Sequence, residues 1–169
     1  MLHPFCMEEA TIDLHSDDYF MGEALRQAAK ALEKDEVPVG AVIVRDGKII
    51  ARAFNQVEEL KDATAHAEML ALTQAENAVG DWRLTDCTLY VTKEPCPMCA
   101  GAIVHTRLAR TVFGAIDVKS GAAGSVINLL QFPTLNHHCQ ITRGLREAEC
   151  SALLKNFFLA QRQRIKNGE

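Results

Sequence analysis

Two short motifs, His66-Ala67-Glu68 and Pro95-Cys96-Pro97-Met98-Cys99, lie 30 residues apart and hold the residue types of a metal-assisted reaction. Positions three apart at the start of a helix are neighbours, so Cys96 and Cys99 can reach one ion. A helix N-terminus favours negative charge and lowers a thiol's pKa, which prepares both sulfurs as ligands. His66 supplies a third ligand. Residues two apart point to opposite sides of a helix, so His66 and Glu68 converge only on a target beyond the helix end. The ion therefore belongs where two helix N-termini meet at one end of a sheet, the carboxyl edge that α/β folds use for sites.

Three protein ligands leave the fourth tetrahedral position to water. Zinc (Zn2+, one per subunit) would bring the pKa of that water towards about 7. Glu68 is placed to take the water's proton and hand protons on to a ring nitrogen and a departing amine. Such a set predicts a hydrolase that removes an amine. Two other readings stay open: a structural zinc with Cys87 as fourth ligand, and a non-catalytic zinc-stabilised RNA-binding module. Glu68 separates them, because a structural site has no use for a carboxylate beside its metal. The remaining cysteines, Cys6, Cys87, Cys139 and Cys150, read as ordinary core or surface residues. His105, His137 and His138 have no closely spaced thiol or carboxylate and read as surface or RNA-facing groups.

The elements that must position these motifs follow from periodicity and turn chemistry. Asp17 or Asp18 is expected to cap a helix carrying Met21, Leu25, Ala28, Ala29 and Leu32, which ends near Lys34–Glu36 and Pro38. Gly40–Val44 and Lys48–Phe54 read as strands joined by an Asp46-Gly47 hairpin turn. A helix from His66 to Val79 stops at Gly80. Leu89–Thr92 is a strand, Pro97 opens a helix to about His105, and Arg110–Gly114 is a strand. The loop Ser120–Gly124 precedes a short helix expected at Ser125–Leu130. A fifth strand at Gln140–Thr142 and a last helix at Glu147–Lys166, packing Leu153, Leu154, Phe157 and Phe158, complete the chain. Hairpin first, then alternating strands and helices, predicts an α/β fold with a mixed sheet covered on both faces.

The chain has 169 residues, of which 48% are hydrophobic, enough for one core without disulfides. Residues 1–16 read as a flexible N-terminal arm, with Met1 or Met7 as the start, and 17–169 as a single domain. The first twenty residues lack the basic start and apolar run of a secretion signal, and no segment suits a membrane span. A soluble cytoplasmic protein is expected. The net charge of −4 hides an asymmetry: residues 1–100 hold 9 basic and 18 acidic groups, residues 101–169 hold 9 and 4. A phosphate path is therefore expected among Arg107, Arg110, Lys119, Arg143, Arg146, Arg162 and Lys166. Trp82, Phe157 and Phe158 read as core more readily than as stacking platforms.

The H-x-E and P-C-x-x-C pair is the signature of the zinc-dependent base deaminases. With Val39–Val42, Thr64–Glu68, Leu89–Thr92, Glu94–Ala102, Val112–Ala115, Lys119–Ser125 and Phe157-Phe158, the chain resembles the bacterial tRNA-specific adenosine deaminases (the TadA family) over about residues 20–166. The resemblance implies a cytidine deaminase-like three-layer α/β/α sandwich with a five-stranded mixed sheet, a homodimer, and conversion of adenosine to inosine at wobble position 34 of a tRNA anticodon stem-loop, that of tRNA-Arg. It implies zinc on His66, Cys96 and Cys99, Glu68 as proton shuttle, and substrate contacts from Asn55, Asp117, Phe158 and Arg162. The chain departs from the family pattern at Asn156, where an acid is usual, and at Gln161, near which an arginine is usual. A deaminase of free bases or nucleosides, of guanine or cytosine type, shares every zinc residue and is the competing expectation.

Overall fold

The computed structural model describes residues 12–168. Residues 1–11 lie outside them, and with them most of the expected arm and both candidate start methionines.

Helix α1 (Asp17–Glu33) is capped by Ser16, whose hydroxyl accepts from the Tyr19 amide, and not by Asp17 or Asp18. Asp17 is committed elsewhere: its carboxylate takes both Arg110 guanidinium nitrogens, at 2.9 and 2.7 Å, and the Tyr90 hydroxyl at 2.6 Å. Strands β1 (Gly40–Arg45) and β2 (Lys48–Phe54) form the predicted hairpin. Both Asp46 and Gly47 have positive φ, 51° and 71°, the conformation that matches the twist of the flanking strands. Gly40 is required by packing, because a Cβ there would lie 2.1 Å from the Ala24 carbonyl oxygen of α1.

A single-turn helix, α2 (Val57–Leu60), follows β2. Helix α3 (Ala67–Val79) ends on Gly80 in the left-handed conformation, as its sequence predicted. Then come β3 (Cys87–Lys93), α4 (Pro97–His105), β4 (Arg110–Ala115), β5 (Gln140–Arg143) and α5 (Glu147–Asn167).

The sheet order is β2-β1-β3-β4-β5. β1 pairs antiparallel with β2 and β3, while β3–β4 and β4–β5 are parallel, so the sheet is mixed and five-stranded as expected. One face packs the alanine-rich side of α3 (Ala67, Ala71, Ala75) and α4 (Ala100, Ile103, Val104) on Ile43, Leu89, Val91 and Phe113. The other packs Phe20, Met21 and Ala24 of α1 and Cys150 of α5 on Val42, Tyr90 and Val112. Alternate residues of β1 and β3 thus enter opposite cores, which makes a three-layer α/β/α sandwich.

The helix expected at Ser125–Leu130 does not form. The segment is a series of turns around an Ala123–Asn128 bridge, with Gly124 N bonded to Ile127 O and Leu129 N to Ala122 O. Tertiary hydrogen bonds described below hold its amides, and they override the local preference. Periodicity places Phe158 in the core and the resemblance places it at the substrate; it is 45% exposed, and only Phe157 of the pair is buried. Trp82, also expected in the core, is half exposed and lies against the Arg83 guanidinium.

Candidate active site

The carboxyl ends of β2 and β3 lie beside the start of β1, and there the two motifs meet. His66 is the N-cap of α3 and has extended backbone (φ −70°, ψ 151°), while Glu68 is the second residue of the helix proper. This change of conformation lets two residues that would diverge on a helix serve one point beyond its end. Cys96 is likewise the N-cap of α4, with Pro97 in the first turn and Cys99 one turn on.

The ligand atoms of His66, Cys96 and Cys99 all lie within 4.8 Å of one another. His66 Nδ1 is 3.6 Å from Cys96 Sγ and 3.5 Å from Cys99 Sγ. Zn–N and Zn–S bonds of about 2.05 and 2.3 Å at a tetrahedral angle require an N–S separation of about 3.6 Å. The donors stand at that spacing. Hydrogen bonds from Cys99 and then His66 pull the Cys96 thiol down to about 3. The hydrogen bond to that thiolate, together with burial, pushes the Cys99 thiol far up. A dication would offset this repulsion and let both sulfurs ionise. His66 is shifted upwards, chiefly by its contact with Cys96.

No other His, Cys, Asp or Glu joins this cluster among the described residues. Cys87 sits at the start of β3, the opposite end of that strand, and burial raises its thiol to about 11. It is not a fourth ligand. Cys139 and Cys150 are buried and likewise raised by desolvation to about 11, as expected of inert core thiols. Glu68 is 4% exposed and lines the cavity beside His66 and Cys96. Burial lifts its carboxyl above the usual range, a shift that suits a group that must accept and return a proton.

The cavity holds about 820 Å³, which accommodates a nucleoside with room to spare. Its walls include Asn55, Lys93 and Glu94, with Phe157, Phe158 and Gln161 of α5 at the border. Asn55 is buried at 6% and directly follows the last residue of β2. Arg162 is exposed on α5, beyond the cavity wall.

Asp117 lies outside the wall. Burial alone would raise its carboxyl, but hydrogen bonds from Lys93, Ser120 and the Lys119 amide hold it well below the usual range. It thereby orders the loop at the cavity edge. The expected phosphate path is only partly available. Arg110 is engaged by Asp17 and Thr142, Arg146 by Glu149 and the Asp18 carbonyl, and Arg107 by Asn136 and the Val104 carbonyl.

Two buried carboxylates carry the architecture of the site, and sequence reasoning did not single them out. Glu94 is 1% exposed. It accepts from the Asp117 amide (2.9 Å), the Ala123 and Ser125 amides (3.1 Å each) and the Ser125 hydroxyl (2.5 Å). Gly121 has to be glycine here, since a Cβ would fall 2.4 Å from the Glu94 carboxyl carbon. Glu36, also 1% exposed, accepts from the Glu59 amide and from Asn55. The one signal that could have marked Glu94 is its place between a strand and the Pro-Cys motif.

Three histidine and cysteine donors at zinc spacing, with a buried acid on the wall of a nucleoside-sized cavity, make the site of a hydrolytic deaminase. Residues 15–162 match the family of MafB19-like deaminases. A tRNA-specific adenosine deaminase of Bacillus subtilis (strain 168) is 50% identical over 150 residues, 89% of this chain and 93% of its own. One from Aquifex aeolicus (strain VF5) is 50% identical over 88% of this chain and 97% of its own. A solved structure from studies of A-to-I editing by tRNA:A34 deaminases at the wobble position of transfer RNA is 46% identical. It superposes with a TM-score of 0.78 over 80% of this chain and 99% of that one. A guanine deaminase from Bacillus subtilis is more distant, 31% identical with a TM-score of 0.59, over 88% of this chain and 94% of that one. The fold is cytidine deaminase-like, and the chain belongs to the family of tRNA-specific adenosine deaminases.

Proposed function

We propose that this enzyme hydrolyses adenosine to inosine at wobble position 34 of a tRNA anticodon stem-loop, tRNA-Arg being the expected species, with release of ammonia. The observation that carries the reading is Glu68, buried at the cavity wall beside a ligand triad whose N–S distances are 3.5 and 3.6 Å. His66 Nδ1 and the sulfurs of Cys96 and Cys99 would hold one zinc ion, which supplies Lewis acidity and a water more easily deprotonated at neutral pH. Glu68 accepts the water's proton as its oxygen adds to C6 of the base. The same carboxyl then donates that proton to the ring nitrogen, takes a second one from the hydroxyl newly formed at C6, and delivers it to the amine, which leaves as ammonia. Asn55 binds the base edge, and Phe158 and Arg162 on α5 meet the RNA around the extruded nucleotide, which costs the substrate its stacking. Asp117 serves at the substrate side by holding Lys93 and the loop in place.

The reading of an RNA substrate is favoured over a free base by the open border of the cavity. An exposed aromatic ring at Phe158 and an exposed cation at Arg162 extend the surface beyond what a base alone would touch. A homodimer is part of the proposal. Ile116, Val118, Val126, Ile127 and Phe132 are each 40–78% exposed within one stretch of chain, a surface that a second copy would cover. A cytoplasmic location belongs to the same reading, since that is where a tRNA substrate is met. No helix of the described residues is long and apolar enough to cross a membrane.

Sequencing inosine in tRNA incubated with the purified, zinc-loaded protein tests the assignment. Position 34 should convert while free adenosine and guanine do not, and comparable turnover of a free base would overturn it. Binding should weaken steeply between low and moderate salt as counterions are released.

A further inference from the structure

Asn55 can bind a base edge in only one orientation, and the structure shows what selects it. Glu36 is buried, 1% exposed, at the end of the turn that follows α1, and stands behind Asn55 at the cavity wall. One carboxylate oxygen, Oε1, accepts from the Glu59 backbone amide at 2.7 Å, and the other, Oε2, accepts from Asn55 Nδ2 at 3.3 Å. An ionised carboxylate can only accept hydrogen bonds. It therefore fixes the amide with its nitrogen inward, since turning Asn55 over would set two oxygens against each other. Among the described residues no donor reaches Asn55 Oδ1, and no enclosed side-chain polar atom lacks a partner, so that oxygen opens onto the cavity. The second Nδ2 hydrogen and Oδ1 are then left for the substrate, the donor–acceptor pair that complements N7 and the 6-amino group of adenine.

We infer that Glu36 is a positioning and specificity residue, which holds the Asn55 amide in the orientation that reads an aminopurine edge. The inference rests on the adenosine deaminase reading above. It acts through Asn55, from 19 residues away in sequence.

Glu36→Gln tests it with almost no change of shape. The substituted side chain would keep its oxygen toward the Glu59 amide and put its NH2 toward Asn55, which would then turn over to accept. The network stays satisfied, and the cavity meets an NH2 group where the carbonyl stood. The expected result is an unchanged melting temperature and zinc content, with kcat/KM on the anticodon stem-loop lower by about 10- to 100-fold, the equivalent of one or two misplaced hydrogen bonds. In an Asn55→Ala background the same change should cost nothing further. Equal losses in both backgrounds would mean that Glu36 acts through the fold and not through Asn55, and would overturn the inference. An independent readout needs no turnover: the Asn55 side-chain NH2 resonance, assigned by its loss in Asn55→Ala, should exchange slowly in the wild type and quickly in Glu36→Gln. Equal exchange in both would refute the orientation. A wild-type enzyme inactive on tRNA yet showing the protected amide would instead strike at the activity assignment.

Discussion

Replacing Glu94 separates a buried acceptor from ordinary bulk. Its two oxygens take three backbone amides and one hydroxyl from residues 117, 123 and 125. Hydrogen bonds to a charged acceptor contribute roughly 1.5–3 kcal/mol each. Glu94→Ala removes all four, nominally about 6–12 kcal/mol, and leaves three amides without a partner; opening of the loop should cap the observed cost at about 4–6 kcal/mol. Glu94→Gln should cost much less. Its oxygen can stay at the Oε1 position, where the Ala123 and Ser125 amides cannot adjust. Its NH2 then takes the Oε2 position, where the Ser125 hydroxyl can rotate to accept and only the Asp117 amide is opposed. One lost bond and one donor–donor contact amount to about 2–3 kcal/mol. The assay is denaturant unfolding of the zinc-loaded protein, with hydrogen exchange read at Ala123 and Ser125. Protection at these two amides should survive in Glu94→Gln and vanish in Glu94→Ala. Activity should fall in the same order, because the Ala122 amide bonds the carbonyl of Pro95, the residue before ligand Cys96. If the two variants destabilise equally, or if both leave exchange at residues 123 and 125 unchanged, the hydrogen-bond account of this loop is wrong.

Glu68→Gln should keep one zinc per chain and lose at least about 100-fold in kcat; a metal assay beside single-turnover kinetics checks this, and appreciable residual turnover contradicts the proton-shuttle role. Cys96→Ser should bind substoichiometric zinc and unfold at lower temperature, and a chelator should abolish wild-type activity until zinc is restored. The hydrogen bond to Arg110 lowers the Asp17 carboxyl below its ordinary value. Its contribution to stability is therefore complete above about pH 4, the unfolded range, and fades as pH falls through the lower folded value. The gap in melting temperature between wild type and Asp17→Asn should accordingly narrow below about pH 4, and a gap constant from pH 6 to pH 3 would refute it.

Much of the site was legible in the chain because its signals are local. The spacing of Cys96 and Cys99, the proline between them, and the two-residue offset of His66 and Glu68 each depend on one helix start. In the structure His66 and Cys96 are the N-caps of their helices, the placement that these offsets demand. Asp46-Gly47 and Gly80 were readable for the same reason, since a positive φ selects its residue type on the spot. Asn55 could be marked only by resemblance, because nothing local distinguishes it from a residue that ends a strand.

What the tertiary structure decided was the fate of groups whose partners are distant. Ser125–Leu130 has a sequence that could be helical, but the Ser125 amide belongs to a carboxylate 31 positions earlier, and turns result. Asp17 is a good cap in isolation, but Arg110, 93 residues on, takes its carboxylate, and Ser16 caps the helix. Phe157 and Phe158 are the same residue type side by side, and only the placement of α5 on the sheet determines which is buried and which meets the solvent. Periodicity encodes what a residue presents to its own helix or strand; the free energy of burying a charge or a ring depends on what the rest of the chain brings to meet it.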